Sequence, residues 1–236
     1  MDIQKILSPV RRCVQDFDMI KSGDHIAVGV SAGKDSLTLL CALSALSRFY
    51  PEKFTLEAIT IDMGFDGKQG DYSQIAALCE KLGVPYTVVP THIAEVVFDI
   101  RKEKNPCSLC ANMRRGALNE AAKEHGCNKV ALGHHHDDAV ETFFLNLFHE
   151  GRLGCFSAVT YLDRTDITLI RPMLYVDEKD IRSFSAKEDL PIKKSTCKAD
   201  GNTERQKMKD FIAGLQHENR DIKEKVFNAM LRGKLL

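Results

Sequence analysis

Three short stretches of the sequence carry residue types from which reactive sites are built. Ser31-Ala32-Gly33-Lys34-Asp35-Ser36 follows an apolar run that ends at Val30. Small residues let a backbone approach a ligand closely, and free N–H groups at a helix start favour an anion. Two hydroxyls and the Lys34 ammonium add donors, so the chemistry is phosphate binding. The spacing before Gly-Lys is not that of a Walker loop. Taken alone, the loop is also compatible with a plain strand-to-helix turn.

Gly133-His134-His135-His136-Asp137-Asp138 is the second stretch. Gly133 permits close approach of a nucleotide, and a carboxylate at a strand end facing a phosphate loop suits magnesium. Helix capping is the competing role for both aspartates. Glu141 lies one turn on as an auxiliary acid. Three adjacent histidines cannot share one helix face; His134 is the one placed against nucleotide or substrate. The third stretch is Cys107-Ser-Leu-Cys110, with a lone Cys197 far downstream. Two thiolates separated by two residues can bind one metal, and a helix start favours their ionised form. By itself the pair is equally compatible with zinc, redox chemistry or chance. The other five cysteines lack partner spacing and read as inert buried thiols.

Positioning these stretches requires strands whose ends converge. His25–Val30, Phe54–Asp62, Pro85–Val89, Lys129–Leu132 and Ile167–Ile170 read as strands. Helices are expected at 3–17, interrupted early by Pro9, then at about 36–49, 71–82, 110–125 and 137–149. Strands alternating with long helices imply crossover units and a parallel sheet. The expected fold is α/β: a Rossmann-like parallel sheet of about five strands, helices on both faces and a helical C-terminal extension. Ligands in such sheets sit at the carboxyl ends of strands near a topological switch point. Ser31–Ser36, Asp62 and Gly133–Asp138 all fall at such ends.

Length and composition fit one domain over 1–236, with an N-terminal helical segment at 1–22 and a basic tail at 193–236. With 44% hydrophobic and 28% charged residues the chain is globular rather than disordered. No apolar run reaches membrane-span length and the start lacks signal-peptide character, so a cytoplasmic protein without membrane contact is expected. Formal charge is zero, but residues 193–236 hold eleven Lys/Arg against six Asp/Glu. A basic tail on an acidic body suits a polyanion; a solvated helix face suits it as well.

The loop resembles the S-G-G-x-D-S signature of the PP-loop N-type ATP pyrophosphatases. Cys-x-x-Cys-x-x-x-Arg-Arg-Gly, then Leu132-Gly-His-His-x-Asp-Asp138, together with Asp16-Phe-Asp-Met-Ile-x-x-Gly-Asp24, resembles the tRNA 2-thiocytidine synthetase branch. The resemblance covers about residues 10 to 210. It implies an adenine-nucleotide alpha hydrolase-like fold and an enzyme that adenylates C2 of a tRNA cytidine, position 32, then replaces oxygen with sulfur. Implied cofactors are ATP, Mg2+ and a 4Fe-4S cluster on Cys107, Cys110 and Cys197. Val30, Ser31, Ala32, Gly33, Lys34, Asp35, Ser36, Asp62, Gly133, His134 and Asp138 map to ATP binding, with Asp35, Asp138 and Arg114 catalytic. Arg115, Lys193, Lys194, Arg205 and Lys207 map to RNA contacts. Implied partners are a tRNA anticodon loop and a cysteine desulfurase or other sulfur donor; a homodimer is left open. Ala32 departs from the signature glycine, which matters where that backbone has positive φ. A 2-thiouridine sulfurtransferase, and a non-catalytic zinc- or nucleotide-binding RNA module whose fourth zinc ligand is His134, His135, His136 or solvent, are the rival readings.

Overall fold

The computed structural model describes residues 3–101, 106–193 and 204–236. Its sheet contains β1 (His25–Gly29), β2 (Thr55–Asp62), β3 (Tyr86–Pro90), β4 (Lys129–Ala131), β5 (Val159–Leu162) and β6 (Ile167–Ile170). The spatial order is β3-β2-β1-β4-β6-β5. All neighbours are parallel except the β5–β6 pair, an antiparallel hairpin at one edge. The chain therefore winds outward from β1 to β3, then returns to place β4 on the other side of β1. Between β1 and β4 lies the switch point, where loops leave in opposite directions and open a crevice.

Helices α1 (Gln4–Asp16), α2 (Lys34–Ser47), α3 (Ser73–Leu82), α4 (Pro106–Glu124), α5 (His136–His149), α6 (Glu178–Lys187), α7 (Glu204–Glu218) and α8 (Ile222–Arg232) complete the described elements, with a 3-10 turn at Phe65–Gly67 and a π-turn at Glu95–Ile100. Successive strand residues divide between two cores, one on each face. Ile26, Val28, Leu56, Ala58 and Ile170 join the larger core with α1, α2, α5, α6, α7 and α8. Ala27, Ile59, Ile61, Val130 and Leu169 join the smaller core under α4 and the π-turn. Both faces are covered, which explains why the strands read as nearly continuous apolar runs. Helix α2 is buried along most of its length because α1 and α6 pack outside it.

Several details differ from the sequence expectation, among them the start of α4 at Pro106 rather than residue 110. Helix α1 continues through Pro9. Proline removes one N–H and crowds the carbonyl four residues back, and the burial of Ile6, Leu7, Val10, Cys13 and Val14 outweighs that local cost. Strand β5 is additional: its residues are mostly half-buried, and a four-residue turn with Asp166 at φ 52° folds it onto β6. Helix α3 starts at Ser73 rather than Asp71, whose carboxylate accepts the Ser73 N–H at 3.0 Å. Gly83, at φ 71°, ends that helix in the left-handed conformation expected of a C-terminal glycine.

Candidate active site

The phosphate loop joins β1 to α2 in the crevice. Ala32 has φ 61°, so the position where the signature has glycine does require the left-handed region. Holding an alanine there costs about 1 kcal/mol. Its carbonyl accepts the backbone N–H of Lys193 at 3.0 Å, which ties the loop to the segment after α6. Ser36 is buried, and its hydroxyl braces the loop from within. It donates to the Gly33 carbonyl at 3.0 Å and accepts the Ser31 N–H at 3.1 Å. Ser31 is the exposed hydroxyl. Gly33 caps the start of α2.

Asp35 and Asp138 converge on one imidazole. Nε2 of His135 lies 3.6 Å from Asp35 Oδ1 and 3.4 Å from Asp138 Oδ2. His135 itself is locked by a reciprocal cap: its Nδ1 accepts the Asp138 N–H while Asp138 Oδ2 accepts the His135 N–H at 3.1 Å. That leaves the ring proton on Nε2, between the two carboxylates. Asp35 Oδ1 is buried without a hydrogen bond, with the Lys34 ammonium 3.0 Å away as its ion partner. An under-satisfied carboxylate oxygen near a second carboxylate suits a hard divalent cation. Gly133 lies against the first turn of α2: a Cβ there would sit 3.1 Å from the Asp35 carbonyl carbon and 3.2 Å from the Ser36 nitrogen. Its lack of a side chain is what lets β4's loop close on the phosphate loop.

Other expected residues have structural partners. Asp62 is buried and accepts the N–H groups of Gly64 at 3.1 Å and Gly70 at 2.8 Å, so it orders the loop after β2. Arg205 pairs with Asp138 at 2.9 Å rather than projecting as a free cation. Lys207 pairs with Glu204, and the Lys193 ammonium lies over the Tyr72 ring. Arg114 and Arg115 are exposed. Lys194 and Cys197 lie outside the described residues.

Beneath the crevice is an ionic hub that the sequence reading missed. Glu178 opens α6 and, although buried, takes Lys34 at 3.2 Å, Arg182 at 2.9 Å and Lys209 at 2.7 Å. Burial works against its charge, but Lys209, Arg182 and Lys34 together hold the carboxyl well below the usual range. Asp137 adds Lys223 at 2.6 Å and the Glu178 N–H at 2.8 Å. Glu141, also buried, is pushed up to about 7 by burial and then by the charge of Asp138. The first and third histidines face different surroundings. His134 accepts from Arg171 Nε at 3.2 Å, and burial lowers its pKa to about 4. His136 lines a separate cavity of about 420 Å³ with Arg12, Asp16 and Glu224.

Cys107 and Cys110 sit in the first turn of α4, exposed and half-buried respectively, three residues apart on one helical face. The other described cysteines are buried or half-buried, and burial pushes their thiols up to about 11 or 12. Among the described residues, then, Cys107 and Cys110 form the accessible adjacent thiol pair, a donor set that fits two ligands of a metal cluster.

A doubly covered α/β sheet with a phosphate loop and paired carboxylates at its switch point defines a nucleotide-binding protein of the PP-loop class. The PP-loop domain family model matches residues 4–216. A tRNA-cytidine(32) 2-sulfurtransferase of Geobacter metallireducens is 40% identical over 96% of this chain and 89% of its own length. The protein of that name from Idiomarina loihiensis is 39% identical over 96% of this chain and 76% of its own. The chain belongs to the PP-loop family, in the branch of the tRNA-cytidine(32) 2-sulfurtransferases. Its fold is also that of a Methanococcus maripaludis U34-tRNA thiolase solved with a 4Fe-4S cluster: TM-score 0.78, 24% identity, 97% of this chain and 78% of the other.

Proposed function

We propose that this chain is an ATP-dependent tRNA sulfurtransferase that adenylates C2 of cytidine 32 and exchanges the C2 oxygen for sulfur. The observation that carries the reading is the convergence of the phosphate loop, Asp35 and Asp138 at one switch point, in a chain 40% identical to a named tRNA-cytidine(32) 2-sulfurtransferase over 96% of its length. The N–H groups opening α2 and the Ser31 hydroxyl bind the β- and γ-phosphates. Val30, Ala32, Gly33, Asp62, Gly133 and His134 shape the rest of the nucleotide site, and Lys34 and Ser36 hold the loop. Asp35 and Asp138 are the ligands for Mg2+, which neutralises phosphate charge when bound.

The cytidine C2 oxygen attacks the α-phosphorus, forming a C2–O–P linkage as the bond to pyrophosphate breaks. Arg114, one turn beyond Cys110, offsets the charge that develops on the phosphate. Adenylation makes the C2 oxygen a good leaving group. A sulfur nucleophile then forms a bond to C2, and the C2–O bond breaks to release AMP. Cys107, Cys110 and Cys197 are the residues that would hold a 4Fe-4S cluster. With three protein ligands such a cluster supplies one open iron as a sulfur site. Arg115, Lys193, Lys194, Arg205 and Lys207 supply RNA backbone contacts. The reading needs a sulfur donor of the cysteine desulfurase class, acts in the cytoplasm within one PP-loop domain, and is compatible with a homodimer.

Mass spectrometry of tRNA nucleosides from strains with and without the gene tests it. Loss of 2-thiocytidine alone is the expected result. Unchanged 2-thiocytidine overturns the reading, and loss of 2-thiouridine instead moves the chain to the neighbouring activity.

A further inference from the structure

Arg171 follows β6 at its carboxyl end and is 7% exposed. Its Nε donates to His134 Nδ1 at 3.2 Å, and one terminal nitrogen donates to the Ser157 carbonyl and to Thr160 Oγ1. The guanidinium lies 4.9 Å from the centre of the Phe156 ring, on which His134 also stacks at 4.8 Å. Every one of these partners is neutral. Among the described residues no carboxylate lies within ion-pair distance of Arg171.

This is unusual for the molecule. Most of its other partly buried cations meet carboxylates: Lys129 meets Asp24 at 2.7 Å, Lys223 meets Asp137 at 2.6 Å, and Lys34 meets Asp35 and Glu178, while the half-buried Lys193 lies over the Tyr72 ring. A buried charge without a counter-ion is costly. An anion arriving from outside removes that penalty. Because Arg171 occupies Nδ1 of His134, the imidazole keeps its proton on Nε2 and offers a neutral donor.

We propose that Arg171 and the Nε2–H of His134 form an anion subsite for a phosphate group, separate from the phosphate loop, at the carboxyl end of β4 and β6. Guanidinium forks match phosphate oxygens in geometry as well as charge. The inference rests on the proposed function only for the owner of that phosphate, which is either the nucleotide or the RNA backbone.

Thermal unfolding with added inorganic phosphate at constant ionic strength tests the subsite without reference to thiolation, since a ligand that binds only the folded state raises Tm. Arg171→Met and His134→Phe are each expected to cut the phosphate-induced rise, while Arg152→Met, whose side chain pairs with Glu150 on the surface, leaves it unchanged. A rise equal to wild type in both variants overturns the subsite. If Arg171→Met does not fold, His134→Phe, which keeps an aromatic ring against Phe156, carries the test, and an equal rise in that variant alone overturns it. Dissociation constants for ATP and for an anticodon stem–loop then assign the source. A loss of about tenfold for ATP assigns a nucleotide phosphate, and the same loss for RNA, with a shallower salt dependence, assigns the backbone. Unchanged affinity for both overturns the substrate role.

Discussion

The two sides of the crevice treat charge differently. Below it, Glu178 and Asp137 gather Lys34, Arg182, Lys209 and Lys223 into a hub that joins the phosphate loop to α5, α6, α7 and α8. Across it, on the rim at the start of α4 and the end of β6, Arg114 and Arg115 are exposed, Arg171 is buried among neutral partners, and Cys107 presents an exposed thiol with Cys110 half-buried beside it. Matched charges make a scaffold, because their energy is realised in the folded chain. Unmatched charges and an exposed thiol realise theirs only with a ligand. The contrast separates residues that hold the site together from residues that act.

Changes on the rim should therefore remove function without unfolding the protein. Cys107→Ala is expected to abolish thiolation, lowering it more than about a hundredfold, with iron content lost and Tm close to wild type. Nucleoside mass spectrometry with iron analysis checks this, and retained iron with full activity would remove Cys107 from the ligand set.

The hub should behave in the opposite way. Glu178→Gln leaves three cations short of a partner and is expected to cost about 3 kcal/mol, read by urea unfolding at neutral pH. The same carboxylate sets an acid limit. Its folded pKa is depressed, so its contribution is present above its ordinary value and is lost as pH falls through that value and below.

Glu141 sharpens the comparison because it titrates in the other direction. Its carboxyl is raised to about 7 in the fold, so the folded state holds a proton that the unfolded chain releases near its ordinary value of 4.5. The favourable term is full below the unfolded value and disappears as pH rises through about 7. Glu141→Gln should thus gain stability relative to wild type at pH 8, by about 2 kcal/mol, and gain little at pH 4. A parallel pair of Tm-against-pH curves would contradict this.

The smallest effect belongs to the loop between the two regions. Ala32→Gly removes the left-handed penalty while loosening the unfolded chain, for a net gain of about 0.5 kcal/mol. Denaturant midpoints at equal slope measure it.

Local pattern carried much of this into the sequence. Apolar runs marked five strands, and Ile167–Ile170 is found at the bounds read from the sequence. Gly33 and Gly133 stood out because strand-to-helix turns need small residues at those points. Strand β5 did not stand out, since a mostly half-buried edge strand has weak alternation and its pairing depends on the turn beyond it. Glu178 and Lys223 looked like ordinary helix charges; what makes them matter is contact with residues 34 and 137, which no local window contains. His135 was one of three histidines in a row, and only the cap with Asp138 aims it at Asp35. Arg171 carries no local signal; only the neutral partners that the fold brings around it mark it out.

The hydrogen bond from the Lys193 amide to the Ala32 carbonyl gives the protein a built-in reporter. That amide exchanges its hydrogen with solvent only when the contact opens. Filling the phosphate loop should slow its exchange, and disturbing the chain beyond residue 193 should quicken it. One backbone position, followed by mass over minutes to hours, reads the state of the nucleotide pocket and of the tail together.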